Sequence, residues 1–374
     1  MSTTHAALPA DYKKGLEGVI AGTSSICTVG RDGDDLHYRG YSVVELEKVA
    51  TFEEVACMLL TGDKPTPEAG RAFTRKVAES RHLPKPLAEV LDRIPGDAHP
   101  MDVLRTGISF LGVLEPEEGK DPVDVAARLI GVAPTISAYW WRVSHGEAPV
   151  NPDSYQGLDQ GGFFLHALRG TPPDEFERRL MNTSLILYAE HGFNASTFAA
   201  RVCTSTRADM HGACTAAVAT LKGNLHGGAN EAAMEMILPY RDPDHAEAEV
   251  MDRLRRKELI MGFGHRVYKV RDPRNEIMRE HARELAQRTG RQHLLEIFLR
   301  VEQVMKREKK MFANADFYHA YAYYVMGIPI PLYTPIFVFS RLSGWCAHIL
   351  EQRADNRLIR PTEAYVGPEP RKWA

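Results

Sequence analysis

Residues 51–65 read TFEEVACMLLTGDKP, and their punctuation decides the fold class. Thr51 with Glu54 three residues later is a capping box, in which each side chain takes an orphan backbone N–H at the start of a helix. Apolar Phe52, Val55, Met58 and Leu59 follow at helical spacing, and Gly62 with Pro65 closes the run. The same pattern returns downstream. Asp272-Pro273 opens a helix with Ile277, His281 and Leu285 on one face and a stop at Gly290, and Leu294, Ile297, Phe298, Val301, Val304 and Met305 mark the next. Thr334-Pro335 starts another, through Arg341 to Glu351. Alternation of period two is confined to residues 25–41, SICTVGRDGDDLHYRGY, where two β-prone pieces flank the turn chemistry of Arg31-Asp32-Gly33-Asp34. The expectation is a mostly helical protein with a small N-terminal β-hairpin.

The chain has 374 residues, more than the roughly 250–300 that one core usually fills, so a large domain and a smaller one are expected. Arg241-Asp242-Pro243-Asp244 reads as a turn, and from there to Lys310 the composition shifts to short charged helices carrying Arg253, Arg255, Arg256, Lys257, Lys306 and Lys309. This is the expected smaller, more polar domain. A composition of 44% hydrophobic and 25% charged residues with a net charge of -3 excludes intrinsic disorder and argues against a non-specific grip on nucleic acid. Five dispersed cysteines without a Cys-x-x-Cys pair suggest neither a disulfide framework nor a zinc knuckle, and fit a reducing cytoplasm. Residues 1–18 lack the apolar region of a secretory signal. The long uncharged stretch Ala320 to Ser340 is broken by Pro329, Pro331 and Pro335 and reads as buried interior, not as a membrane span.

Fifteen histidines are present, and His5, His82, His245 and His281 sit in unremarkable polar, terminal or helix-face contexts. Three others lie beside glycine, which lets a ligand or backbone approach the imidazole: His191, His226 and His265. Each is either a site residue or a polar ring on a surface turn. They lack the spacing of a helical metal site, and the chain holds no His-Glu-x-x-His, no Gly-x-Ser-x-Gly elbow and no phosphate-binding glycine loop. Arg274 stands at a helix start, Arg360 precedes Pro361, and Arg341 sits in the apolar run Phe337-Val338-Phe339-Ser340-Arg341. A buried guanidinium needs an anion, so converging arginines either hold a small di- or tricarboxylate or close internal ion pairs. Asp316 either carries chemistry or caps the helix that follows it.

LHGGAN (225–230), GFGHRVYKVRDPR (262–274), ANADFYHAY (313–321) and FSRLSGWCAHILEQR (339–353) occur in the order and spacing of citrate synthases. The resemblance to that family runs from GLEGVIAGTSSICTVG (15–30) and LHYRGY (36–41) to IRPTEAYVGPEP (359–370). LYAEHGFNASTF (187–198), HPMDVLRTGIS (99–109) and IRPTEAYVGP look most like the bacterial 2-methylcitrate synthases within it. It implies a two-domain all-α fold, with residues 1–226 and 328–374 in the large domain and 227–327 in the small one. It also implies a homodimer in which Arg360 crosses to the partner's site, and closure of the small domain over the first substrate.

By the same resemblance the catalytic positions fall on His226, His265 and Asp316, and His191, Arg274, Phe337, Arg341 and the partner's Arg360 hold oxaloacetate. Leu259, Ile260, Met261, Gly262 and Phe263 would receive the adenine of coenzyme A, with Arg266, Lys269, Lys309 and Lys310 near its phosphates; for Lys309 a solvated basic face is the plain alternative. No metal and no permanently bound cofactor is implied, since the CoA thioester is a substrate. Condensing a thioester with a ketone requires a base for the weakly acidic proton and donors for two developing oxyanions. Asp316 is assigned as the base, His226 as the donor to the enolate and His265 as the donor to the ketone oxygen. The expected reaction joins propanoyl-CoA to oxaloacetate, with acetyl-CoA a slower substrate; a housekeeping citrate synthase is the near alternative. A non-catalytic acyl-CoA or carboxylate binding protein is the distant one, and it has no need of Asp316.

Overall fold

The computed structural model describes residues 12–372. His5 and the outermost ends of the expected large domain lie outside the described residues. Near the N-terminus, β1 (Cys27–Val29), β2 (Leu36–Tyr38) and β3 (Tyr41–Ser42) form an antiparallel sheet in the order β1-β2-β3, with Thr28 opposite His37. The expected hairpin is therefore extended by a third strand of two residues, because Gly40 turns the chain back at once with a φ of 88°.

Helices make up the rest of the regular structure. In order come α1 (Val43–Val49), α2 (Phe52–Thr61), α3 (Pro67–Glu79), α4 (Lys85–Leu91), α5 (Pro100–Leu114) and α6 (Pro122–Ser144). Then follow α7 (Gln160–Arg169), α8 (Glu175–Tyr188), α9 (Ala195–Ser205), α10 (Met210–Leu221) and α11 (Ala229–Ile237). The last five are α12 (Pro243–Arg255), α13 (Pro273–Thr289), α14 (Gln292–Lys309), α15 (Ala315–Val325) and α16 (Tyr333–Ala354). The capping box at Thr51 and Glu54 is formed in both directions, and Gly62 ends α2 in the left-handed conformation. Asp272 caps α13 and Gly290 ends it, as read from the sequence. At Asp242-Pro243, where a turn was expected, Asp242 caps α12 and Pro243 is its first residue. The helices beyond it are not short: α13 has 17 residues and α14 has 18.

Helix α16 is the hub of the larger layer. Every residue from Tyr333 to Ile349 is buried, as befits a helix that is apolar nearly all round, and it packs against α2, α6, α8, α9 and α10. Gly344 permits its approach to the end of α8, since a Cβ there would lie 2.4 Å from the Ala189 carbonyl. α12 packs on α14, while α13 and α11 pack on α15. Of the stretch Ala320–Ser340, the apolar ends fold into α15 and α16 and are buried, while Tyr324, Gly327 and Pro331 in the connection reach the surface. Among the elements that carry charge into the interior are α16 with Arg341, and the start of α13 with Asp272 and Arg274.

Candidate active site

A cavity of about 530 Å³ opens between the end of α8, the loop before α11, residues 264–267, and the starts of α13 and α15, with α16 as its floor. His191, His226, His265, Arg274, Asp316, Phe337 and Arg341 all line it, although up to 150 residues separate them. A slightly larger cavity of about 610 Å³ lies between residues 21–25 and the end of α16. None of the catalytic or arginine candidates reaches it, and its buried cation, Arg201, is neutralised by Glu351 at 2.8 Å.

His226 and His265 have their tautomers fixed by the backbone. The Ser196 N–H donates to His226 Nε2 at 3.3 Å, and a backbone N–H can only donate, so Nε2 is an acceptor and the ring proton sits on Nδ1. Ser196 Oγ lies 2.8 Å from the same nitrogen and accepts from Trp345 Nε1 at 3.2 Å, which anchors the arrangement to α16. In His265 the roles of the nitrogens are reversed. The N–H groups of Val267 and Tyr268 donate to Nδ1 at 3.1 and 2.9 Å, leaving Nε2 to carry the proton. Tyr268 also stacks on this ring, with centroids 4.4 Å apart. Burial, with Arg341 behind it, lowers His226 to about 4. Burial and then Arg274 lower His265 to about 4. Both are neutral N–H donors at neutral pH.

Asp316 is the second residue of α15, not its cap: Asn314 caps the helix and accepts the Asp316 N–H at 3.1 Å. Its Oδ1 accepts the Tyr188 hydroxyl at 2.7 Å, while Oδ2 has no hydrogen-bond partner among the described residues. Burial raises the carboxyl to about 6, against the opposing pull of Tyr188, Arg274 and Arg341. A carboxylate of that basicity is still ionised at neutral pH and is a stronger base than an exposed one.

The two inner arginines resolve oppositely. Arg274 closes an internal ion pair, Nε to Asp272 Oδ1 at 3.0 Å and Nη2 to Oδ2 at 2.8 Å, and this bidentate contact holds its guanidinium charge. Asp272 also caps α13 and accepts the Ala315 N–H at 3.0 Å, so it splints the arginine to the start of α15. Arg341 is 1% exposed and, among the described residues, has no carboxylate within ion-pair distance. Its Nε donates to the Tyr188 carbonyl at 2.7 Å, its guanidinium lies 4.7 Å from the Phe337 ring centre, and its Nη1 is buried with no partner among the described residues. A buried guanidinium with a free donor, on a residue that lines a cavity, is chemically suited to an anion. His191 contacts the Tyr268 hydroxyl at 3.2 Å, and burial followed by Arg274 keeps it neutral.

The outlying candidates are placed less centrally. Arg360 is exposed on the C-terminal segment and does not line its own chain's cavity. Residues 259–263 run beside 311–314, held by the Asn314 N–H on the Gly262 carbonyl at 2.9 Å. Ile260 is turned into the core at 7% exposure and Leu259 outward at 74%. Arg266 lines the cavity mouth, and Lys269 Nζ donates to its carbonyl at 3.3 Å. Lys309 is exposed, and Lys310 borders a separate cavity with Lys306, Arg279 and Arg283. Sequence reasoning gave no role to Tyr188 or Ser196, and read Asp272 only as a helix opener; all three lie in or beside the quoted motifs, the only signal available.

The family profile described as citrate synthase, C-terminal domain, matches residues 15–362. The chain belongs to the citrate synthase family. It is 50% identical to a 2-methylcitrate synthase of Shewanella oneidensis over 360 residues, covering 96% of each chain. It is 41% identical to a citrate/2-methylcitrate synthase of Bacillus subtilis, over 96% of this chain and 97% of that one. The fold is that of citrate synthases as well. A solved ternary complex of carboxymethyl coenzyme A and oxaloacetate with citrate synthase from Thermoplasma acidophilum superposes with a TM-score of 0.90 at 32% identity, covering 97% of this chain and 98% of that one.

Proposed function

We propose that this chain is a 2-methylcitrate synthase, condensing propanoyl-CoA with oxaloacetate and water to 2-methylcitrate and CoA, and accepting acetyl-CoA more slowly to give citrate. The observation that supports the reading is one cavity lined by a buried carboxylate, two imidazoles whose tautomers the backbone fixes, and a buried guanidinium with no carboxylate partner among the described residues. Asp316 takes the proton next to the thioester, and His226 Nδ1–H donates to the oxygen that becomes the enolate. The new carbanion attacks the oxaloacetate ketone, whose oxygen gains the charge and accepts from His265 Nε2–H. Water then cleaves the thioester, releasing CoA as the thiol.

Arg341, Arg274 and His191 receive the oxaloacetate carboxylates and Phe337 packs against the ligand, with the partner subunit's Arg360 completing the clamp in a homodimer. An exposed Arg360 that does not line its own chain's cavity is compatible with that role. The small domain, residues 227–327, would close over oxaloacetate. CoA would lie along 259–263 with Arg266 and Lys269 at its phosphates, and Lys309 or Lys310 beyond. A cytoplasmic location is supported by five free cysteines, and among the described residues no helix is long and apolar enough to cross a membrane.

The test is CoA release with oxaloacetate, comparing kcat/KM for the two thioesters. One methylene in a fitted pocket contributes about 1–3 kcal/mol, so propanoyl-CoA is expected to win by about tenfold or more, with 2-methylcitrate as product. That result places the enzyme in propionate breakdown. An acetyl-CoA preference instead makes it a citrate synthase with the same site, and release with neither leaves a binding protein.

A further inference from the structure

Tyr188 ends α8 and touches three parts of the site at once. Its hydroxyl donates to Asp316 Oδ1 at 2.7 Å and its carbonyl accepts from Arg341 Nε at 2.7 Å. Its ring stacks on Phe337 with centroids 4.1 Å apart, and the His319 ring lies against it at 4.2 Å. The side chain is 1% exposed, so the hydroxyl has no solvent to turn to. Burial and the neighbouring Asp316 hold the phenol well above its ordinary range, which makes it an obligatory donor.

We propose that Tyr188 is the positioning residue of the base: its hydroxyl holds Oδ1 of Asp316 in a single hydrogen bond, leaving Oδ2 to face the acyl group, and stabilises the carboxylate form. This rests on the reading of Asp316 as the base. The ionisable groups that act on Asp316 come from four elements: Tyr188 from α8, Arg274 and Asp272 from the start of α13, Arg341 from α16, and Tyr323 from its own helix. The arginines favour the charged form and Asp272 opposes it, but neither guanidinium donates a hydrogen bond to the Asp316 carboxylate: Arg274 bonds Asp272 and Arg341 bonds the Tyr188 carbonyl. His319, buried to about 3, stays neutral and gives its Nδ1–H to the Ala315 carbonyl at 2.5 Å. Tyr188 is the side chain that donates directly to the carboxylate.

Tyr188→Phe removes the hydroxyl and keeps the ring on Phe337 and the carbonyl on Arg341. In the parent enzyme kcat/KM for the acyl-CoA rises with pH through about 6, as Asp316 ionises. In the variant that acidic limb is expected to move up by about one pH unit, because a hydrogen bond to the charged form is lost. The loss relative to the parent is then about tenfold greater at pH 5 than at pH 8, with KM for oxaloacetate little changed. A uniform loss at all pH values with the limb unmoved, or a limb that stays at its parental position, would overturn the proposal. The base reading fails separately: Asp316→Asn retaining turnover would sink it whatever Tyr188→Phe does.

Discussion

Asp316→Asn is expected to lose about 10²–10⁴-fold in turnover, the usual contribution of a positioned general base, while binding oxaloacetate with unchanged affinity. The same substitution is expected to make the protein more stable above pH 6. Folding raises this carboxyl from 3.8 to about 6, so the folded state disfavours its ionised form. The sign follows directly: the destabilisation is absent below 3.8, grows as pH rises between the two values, and is constant above the folded one. A rise of about two units corresponds to about 3 kcal/mol at neutral pH. Asparagine carries no charge to bury and still presents an oxygen to the Tyr188 hydroxyl. Urea unfolding of parent and variant at pH 5 and pH 7.5 measures this, and the variant's advantage should be larger at pH 7.5. A variant that is less stable at pH 7.5 would refute the burial of a charged base, and one that turns over at the parental rate would refute its role.

Arg341→Lys carries the second large effect. It keeps a cation inside α16, so the fully buried Glu190, held low by His348 and then by Arg341, remains compensated. What disappears is the planar fork, and with it the orphaned Nη1 and the Nε bond to Tyr188. Losing hydrogen bonds to a charged group costs about 1.5–3 kcal/mol, so the dissociation constant for oxaloacetate is expected to rise by about 10- to 100-fold. Titration calorimetry reads it directly, and an affinity equal to the parent's would rule out Arg341 as an anion clamp. Arg274 is expected to matter less as a source of charge, since Asp272 already holds it in two hydrogen bonds.

These two arginines also show how far the sequence could be read. An arginine in an apolar run must find an anion, and that much is local chemistry; whether the anion is a neighbouring aspartate or a ligand is decided by tertiary approach. Asp272 stands two residues before Arg274, yet it earns its place at the site through the Ala315 N–H, 43 residues away. The capping box of α2 and the limits of α13 were legible because caps are satisfied within one turn. Asp242-Pro243 was misread as a turn because the same two residues open helices and turns alike. The third strand was missed because two residues carry no periodicity.

At the site, the motifs named His226, His265 and Asp316, but not their protonation. That depends on contacts no local pattern encodes: Ser196 on His226 across 30 residues, and Tyr188 on Asp316 across 128. Only His265 carries its determinant beside it, in the N–H groups of Val267 and Tyr268. The neutral state of both histidines follows from burial beside arginines that arrive from other helices.

The most direct measurement of the central claim separates proton abstraction from condensation. Propanoyl-CoA is incubated in deuterated water with the enzyme and a 2-hydroxy dicarboxylate that fills the oxaloacetate site but has no ketone to attack. Washing of deuterium into the carbon next to the thioester is followed by NMR. The parent enzyme is expected to exchange that hydrogen and Asp316→Asn to lose the exchange by about 10²-fold or more. Exchange by Asp316→Asn at the parental rate would contradict the assignment of Asp316 as the base.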